Sequence, residues 1–571
     1  MPPATLPRSC SACRSASPCR PRRSPIRGCA PDCPRRFRSI PAPATAPEAE
    51  PVAAPAPAEA PIPTRRILAF VAMVFGMFMA ILDIQIVAAS LSEIQAGLGA
   101  SADEISWVQT SYLIAEVIMI PLSGFLGRVM STRILFSVSA LGFAATSFLC
   151  ATASNIDQMI IYRAAQGFIG GGMIPAVFAA AFSIFPPSKR AITSPLIGLI
   201  ATLAPTVGPT IGGYLSDAFS WHWLFLVNVI PGICVAFATF TLVDFDEPDW
   251  ALFRRFDWTG LVAMAAFLGA MEFALEEGPS NDWMQDEVVA MAVALMCAGG
   301  VVFFWRALTR DEPVVDLSAF ADRNFAMGSL FSFVMGSGLY GMTYLYPRYL
   351  GQVRGYDSLM IGEAVFVSGA AMFLTAPVAG VLSSRLDPRI MMGAGFLGFA
   401  ASSWQLTGLT AEWDFNELLV PQILRGVSLM LCMVPINNLA LGTLPPARLK
   451  SASGLFNLTR NLGGAVGLAV INTVLSHRQT FHGARLAEHV GWANPQALQT
   501  LSALEANNAA HGLDAHRAAI SQLQGIVTGQ AVVMSFIDVF LLFTLLFLAL
   551  AGLVLFLQKP APQGGGAAPA H

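Results

Sequence analysis

The sequence predicts an all-α polytopic membrane protein, and three observations carry that prediction. Mean hydropathy is +0.60, with 55% hydrophobic and only 12% charged residues over 571 positions, more apolar than soluble domains are. The apolar runs are continuous over about 20 residues, the length of a helix that crosses a bilayer, not the ~10-residue alternating segments of a β-barrel. Basic residues recur in every second connection, as the positive-inside rule requires of a chain that crosses repeatedly.

From Thr64 onward the chain divides into about fourteen spans at roughly 20 residues each. They are expected near 66–90, 105–126, 133–153, 158–184, 192–216, 222–243, 258–276, 288–307, 325–347, 359–382, 390–410, 417–442, 450–475 and 532–557. The basic connections hold Arg128 and Arg133; Lys189 and Arg190; Arg254 and Arg255; Arg306, Arg310 and Arg323; Arg385 and Arg389; and Arg448 and Lys450. The intervening ones are acidic or neutral, as at Glu93, Asp103 and Glu104, or Glu276, Glu277, Asp282, Asp286 and Glu287; the segment near Arg348 and Arg354 is the exception. An even number of crossings then puts both termini in the cytoplasm.

Two charged linkers, 244–257 and 308–324, group the spans as six, two and six. The expected domains are a six-helix bundle at 64–245, a two-helix insert with its linkers at 246–320, and a second six-helix bundle at 321–560. The second bundle includes a long extracytoplasmic connection at 476–531, mostly helix-permissive in its Ala, Leu and Gln, which reads as a mobile loop or as a docking surface for an extracytoplasmic partner. Residues 1–63, Arg- and Pro-rich and then Pro/Ala/Glu-rich, lack apolar periodicity and read as a disordered tail, as does 561–571. Arg22-Arg23 has no apolar segment after it and is not a cleavable export signal; translation is expected to start downstream of this tail, which a mature Met1 in intact-mass measurement refutes. Cys10-x2-Cys13 has no matching second pair, so no metal site is expected. The net charge of −3 points to no partner, nucleic acid included.

Charges inside the spans are the chemical signal, because ionisable groups in hydrocarbon are costly and by default mark an ion or substrate path. Asp83 lies within Leu82-Asp83-Ile84-Gln85-Ile86-Val87, Glu116 in the second span and Arg163 in the fourth. At ~1.5 Å per residue, Asp83 and Arg163 fall about 24 Å and about 22 Å from the cytoplasmic face, at matching depth, and Glu116 at about 15 Å, near the midplane. Asp83 and Arg163 can therefore neutralise each other, and the bland reading of them is a structural ion pair. Glu116 is the first candidate for cyclic protonation and Asp83 the second. Glu272, Glu276 and Asp538 are weaker candidates. Arg460 and Asn461 in the thirteenth span can hydrogen-bond across the second bundle or, with Asn457, line its cavity. Tyr340, Tyr344 and Tyr346 on the ninth span suit an aromatic pocket or an interfacial anchor, and Tyr112 on the first bundle is a further candidate for the substrate cavity, as is Glu116.

Two runs shape the backbone. Arg163-Ala164-Ala165-Gln166-Gly167 leads into Gly170-Gly171-Gly172, and Ala204-Pro205 leads into Gly208-Pro209-Thr210-Ile211-Gly212-Gly213. Small residues four apart let helices approach closely, and proline bends a helix where neighbours take up the freed carbonyl.

Taken with Trp107-Val108-Gln109-Thr110-Ser111-Tyr112, Pro121-Leu122-Ser123-Gly124, Trp221–Asn228 and Asn457–Gly464, these runs make the chain resemble the EmrB/QacA-type fourteen-helix drug:proton antiporters of the major facilitator superfamily over residues 64–560. The resemblance implies the major facilitator fold and proton-coupled efflux of small amphipathic compounds across the bacterial inner membrane by alternating access. It makes Asp83 and Arg163 proton-coupling residues, and Gly208, Pro209 and Gly212, with Gly213, Gln166 and Gly167, the conformational motifs. It implies a proton gradient in place of a cofactor, with small molecules, protons and lipid as partners, and an outer adaptor at 476–531 as in Gram-negative tripartite pumps. The family's loop after the second span carries Gly-x-Leu-x-Asp-Arg; here Gly124-Phe125-Leu126-Gly127-Arg128 puts Arg128 in place of the acid, so this run is expected to keep only its positive-inside role. The chain has no Gly-x4-Gly-Lys-Ser/Thr phosphate loop, which points away from direct ATP use. The rival readings are a specific metabolite exporter or importer on the same fold, and a membrane-embedded enzyme or receptor. The scattered histidines His222, His477, His482, His489, His511, His516 and His571 do not favour a metal-centred enzyme.

Overall fold

A computed structural model of the chain describes residues 63–185, 190–244, 246–310, 313–356, 358–442, 444–445, 448–491, 494–508, 514–555 and 557. The expected tails, the Cys10–Cys13 pair and Lys189 lie outside these residues. Eighteen α-helices and no strand occur among the described residues. They are α1 (Thr64–Ala89), α2 (Leu91–Leu98), α3 (Ala102–Ile105), α4 (Trp107–Ala151), α5 (Ile156–Gly170), α6 (Met173–Ile184), α7 (Arg190–Ala218), α8 (Trp223–Leu226) and α9 (Val229–Leu242). There follow α10 (Trp258–Glu277), α11 (Glu287–Thr309), α12 (Arg323–Gln352), α13 (Ser358–Arg385), α14 (Pro388–Gln405), α15 (Phe415–Gly442), α16 (Leu449–His489), α17 (Pro495–Asn507) and α18 (Ala515–Val554).

Eleven helical stretches among the described residues are long and apolar enough to cross a membrane, with α5–α6 and α8–α9 each counted once. The expected fifth and eleventh spans coincide with α7 and α14, which lie outside those eleven. The second and third spans are not separated by a loop: α4 runs through both over 45 residues. At 1.5 Å per residue that is about 67 Å, more than twice the hydrocarbon core. The break is a single residue, Ser131, with φ 72° and ψ 155°. A helix that restarts leaves its first N–H groups without acceptors. Here Asp246 Oδ2 accepts from the Thr132 amide at 2.6 Å and its hydroxyl at 2.7 Å, which is why so short a break suffices.

The connection expected as a loop at 476–531 is largely helical. Its Ala/Leu/Gln composition continues α16 to His489, forms α17, and starts α18 at Ala515. Polar groups tie these extensions together: Asp538 Oδ2 accepts from Arg478 Nε at 2.5 Å and lies 2.7 Å from His482 Nε2.

Helices α1, α4, α5, α6, α7 and α9 pack on one another, as do α12, α13, α14, α15, α16 and α18. The two groups meet where α7 runs along α13 and where α4 and α6 run along α16. Helix α10 pairs with α11 and also packs on both α4 and α16, so the insert touches both groups. Trp107 meets Phe273 at a tilt of 31° with ring centroids 5.5 Å apart, and Trp283 Nε1 donates to Thr473 Oγ1 at 3.1 Å. Asp257 caps α10 by accepting from the Gly260 amide at 3.0 Å and takes Arg306 Nη2 of α11 at 2.5 Å, pinning the two insert helices. Apolar side chains such as Phe237, Val301 and Leu308 are exposed, as a helix face against lipid tails permits.

Candidate functional site

Asp83 sits on α1 with no exposed surface, and side chains from α5 and from the residue before α9 converge on it. Its Oδ2 accepts from Arg163 Nη1 of α5 at 2.6 Å. Its Oδ1 accepts from Asn228 Nδ2, which precedes α9, at 2.7 Å and from Gln166 Nε2 at 3.4 Å. Spacing of i and i+3 puts Arg163 and Gln166 on one face of α5, and Arg163 Nη1 also donates to Gln166 Oε1 at 2.7 Å. Gln166 Nε2 in turn reaches Ser147 Oγ of α4 at 2.6 Å.

The guanidinium is held by more than its counter-ion. Arg163 Nε donates to the Val108 carbonyl at 3.2 Å, and the group lies 4.3 Å from the Tyr112 ring centroid and 5.8 Å from that of Phe225. Such close approach needs Gly167, where a Cβ would fall 2.3 Å from the Tyr112 carbonyl oxygen. Nη2 of Arg163 makes no hydrogen bond among the described residues; a buried pair stripped of one partner loses about 3–5 kcal/mol.

Glu116 is different. It is 3% exposed and forms no hydrogen bond or ion pair among the described residues, although Arg163 and Asp83 act on it electrostatically. It lies one turn along α4 from Tyr112, so the first helical group holds a paired carboxylate and an unpaired one side by side.

The glycine-proline run of α7 lies against α1. A Cβ on Gly208 would sit 2.4 Å from Gln85 Cβ, and one on Gly212 would sit 2.9 Å from the Ile86 carbonyl oxygen; Pro209 and Gly213 are half-buried. These residues thus back the segment that carries Asp83.

The other expected cavity residues belong to the second group, where Tyr340 lies within electrostatic reach of Arg460 and, across the seam, of Glu116 and Tyr112. Arg460 Nη2 donates to Asn437 Oδ1 at 2.9 Å and its guanidinium lies 5.2 Å from the Phe178 ring of α6, across the seam between groups. Tyr340 donates to Asn461 Oδ1 at 3.4 Å, and Asn457 Nδ2 to the Ser453 carbonyl of its own helix at 2.9 Å. Tyr344 turns to Asn472 Oδ1 at 2.7 Å and to Arg348, away from that cluster.

At the end that carries Arg128, an acid does join the two groups, from a place the sequence run did not suggest. Lys450 Nζ, at the head of α16, lies 2.5 Å from Asp246 Oδ2 and donates to the Gly127 carbonyl at 2.9 Å. Asp246 comes from the linker after α9.

Asn228 and Ser147 are the members of this hydrogen-bond network that sequence reading left without a role. A lone Asn opening an apolar helix, in Val227-Asn228-Val229-Ile230, was the available signal; nothing local marks Ser147.

Two packed groups of helices, with charge buried at mid-helix in the first, define a polytopic solute transporter. The chain belongs to the Major Facilitator Superfamily, whose profile matches residues 73–468. It is accordingly a secondary transporter in the membrane, not an enzyme. It is similar to the "Colistin resistance protein EmrB" of Acinetobacter baumannii, 41% identical over 86% of this chain and 96% of that protein. It is also similar to the "Multidrug export protein EmrB" of Escherichia coli, 32% identical over 88% and 98%, and to the "Fatty acid resistance protein FarB" of Neisseria gonorrhoeae, 29% identical over 87% and 98%. Among solved structures, the human organic anion transporter MFSD10 matches with a TM-score of 0.52 at 13% identity, over 84% of this chain and 99% of that one, a likeness of fold.

Proposed function

We propose that this protein exports small amphipathic or hydrophobic compounds, drugs among them, across the bacterial inner membrane in exchange for protons, with both termini in the cytoplasm. The names of the relatives support export of noxious amphipaths. The observation that carries proton coupling is Glu116, a carboxyl 3% exposed and, among the described residues, without a hydrogen-bond or ion-pair partner, beside the Asp83–Arg163 pair. Burial disfavours the charged form of a carboxyl, while a neighbouring cation favours it. A group caught between these effects changes protonation when a small movement alters its surroundings.

In this reading the two helical groups rock about the buried site. A proton taken from outside at Glu116, or at Asp83 when Arg163 is drawn away, favours one orientation. An amphipathic substrate favours the other, so inward protons drive outward substrate. The Lys450–Asp246 contact closes one end in one of those orientations. The helical extensions of α16 and α18, with α17, offer the surface for an outer adaptor protein.

The test is proton release from purified protein in weak buffer when amphipathic compounds are added. Release with compounds that bind, lost in Glu116→Gln, is expected. Binding with no change in protonation, for every compound in a panel, contradicts the reading.

A further inference from the structure

Helices α5 and α15 carry one five-residue frame with two residues exchanged: Arg163-Ala164-Ala165-Gln166-Gly167 against Gln422-Ile423-Leu424-Arg425-Gly426. The correspondence holds in space. Arg163 Nε donates to the Val108 carbonyl of α4 at 3.2 Å, and Gln422 Nε2 to the Ala364 carbonyl of α13 at 2.9 Å. A Cβ on Gly167 would meet the Tyr112 carbonyl oxygen at 2.3 Å, and one on Gly426 the Ser368 carbonyl oxygen at 2.5 Å. In each case the accepting carbonyl lies one helical turn before the glycine's contact. Arg425 therefore holds, in the second group, the place that Gln166 holds in the first.

The exchange moves a cation without moving its counter-charge. Arg163 has Asp83, whereas Arg425 is 2% exposed and, among the described residues, meets no carboxylate. Its Nη2 donates to Ser368 Oγ at 2.7 Å and its guanidinium lies 5.0 Å from the Tyr346 ring centroid. Its Nε and Nη1 make no hydrogen bond, which leaves three N–H donors unused. Helices α12 and α14 contain no Asp or Glu, and the acids of α13 and α15, Glu363 and Glu417, stand near the starts of those helices. Among the described residues, the phenol of Tyr346 is the one titratable group that acts on Arg425. A buried cation without a partner is one of the costliest arrangements a fold can hold, and unsatisfied buried donors call for an ion or water.

We propose that Arg425 binds a small anion: a halide such as chloride, or the carboxylate of an acidic amphipath. Guanidinium is the side chain suited to both, since it stays charged when buried and binds through several N–H groups at once. The Tyr346 ring covers one of its faces, and Ser368 fixes its tip. The site goes beyond the export reading and does not rest on it, because anion binding is measured without transport.

The experiment uses the purified full chain in nanodiscs, with labelled chloride in equilibrium dialysis and gluconate holding ionic strength constant. Saturable binding is expected in the wild type, reduced at least tenfold in Arg425→Gln, the variant that installs the residue of the first group. Arg425→Lys keeps the charge with fewer donors and is expected to bind more weakly than wild type. Displacement of the label by decanoate assigns the site to carboxylates as well as halides; no displacement restricts it to halides; either supports an anion site. If Arg425→Gln does not fold, the wild-type isotherm and the Lys variant decide the matter. Absence of saturable binding of chloride or decanoate to the wild type, or equal binding by Arg425→Gln, overturns the proposal.

Discussion

Arg163 Nη1 and Asp83 Oδ2 are 2.6 Å apart between α5 and α1, and neither side chain has any exposed surface. The pair is therefore expected to behave asymmetrically when broken. Arg163→Ala removes the counter-charge together with the packing on Tyr112 and Phe225, leaves Asp83 only its bonds from Asn228 and Gln166, and should cost about 3–5 kcal/mol. Asp83→Asn should cost less, because Gln166 Oε1, the Val108 carbonyl and the Tyr112 ring still hold the guanidinium. The double variant Asp83→Asn/Arg163→Gln should be milder than Arg163→Ala alone. Chemical unfolding in nanodiscs measures the order; a neutral Arg163→Ala would contradict it.

Two glycines give a contrast that needs no knowledge of transport. A methyl at Gly167 would lie 2.3 Å from a backbone oxygen, so Gly167→Ala must push α5 off α4 and should destabilise by about 1–3 kcal/mol. Gly393, in α14, has nothing within 4 Å of its Cβ position. Gly393→Ala should be neutral or stabilising by up to about 1 kcal/mol. Equal effects at the two positions would contradict the helix contact described.

The Lys450–Asp246 contact joins the helical groups at one end. Lys450→Ala or Asp246→Asn should loosen that end. Spin labels at the exposed positions 247 and 448 should then show a longer or broader distance distribution than the parent. An unchanged distribution would mean that the contact bears no part of the closure.

Asp257 allows a pH prediction outside the spans. Burial acts to raise its carboxyl, but hydrogen bonds from Arg306 and the Gly260 amide, with the Arg306 charge, outweigh it and hold the carboxyl below the usual carboxylate range. A group depressed on folding contributes stability that is present above the unfolded value of about 3.9 and lost as pH falls through the folded value. Asp257→Asn should thus lower the melting temperature by a constant amount from pH 5 to 8, and by less in more acidic solution. A cost that grows as pH falls would contradict the assignment.

Legibility in the sequence followed from how far a signal reaches along the chain. Continuous apolar runs revealed the membrane helices, and Asp83 and Arg163 stood out because charge in hydrocarbon is rare; equal depth was enough to pair them. Arg425 carried the same signal inside the twelfth span and was given no role in the reading of the sequence. Asp246 and Lys450 are 204 positions apart, and only packing of α16 on α4 brings them together. The helices of 476–531 escaped because their composition permits helix without requiring it, and the continuity of α4 through Ser131 rests on a distant carboxylate supplying the acceptor.

The most direct measurement is pH-gradient-driven exchange in proteoliposomes, comparing wild type with Glu116→Gln and Asp83→Asn. Wild type is expected to move substrate against its gradient only while the proton gradient lasts. Each variant is expected to lose coupled exchange by tenfold or more, with substrate binding kept. Proton-coupled transport at wild-type rates in both variants, or export that persists after the gradient is collapsed, would contradict the claim that these carboxyls carry the protons.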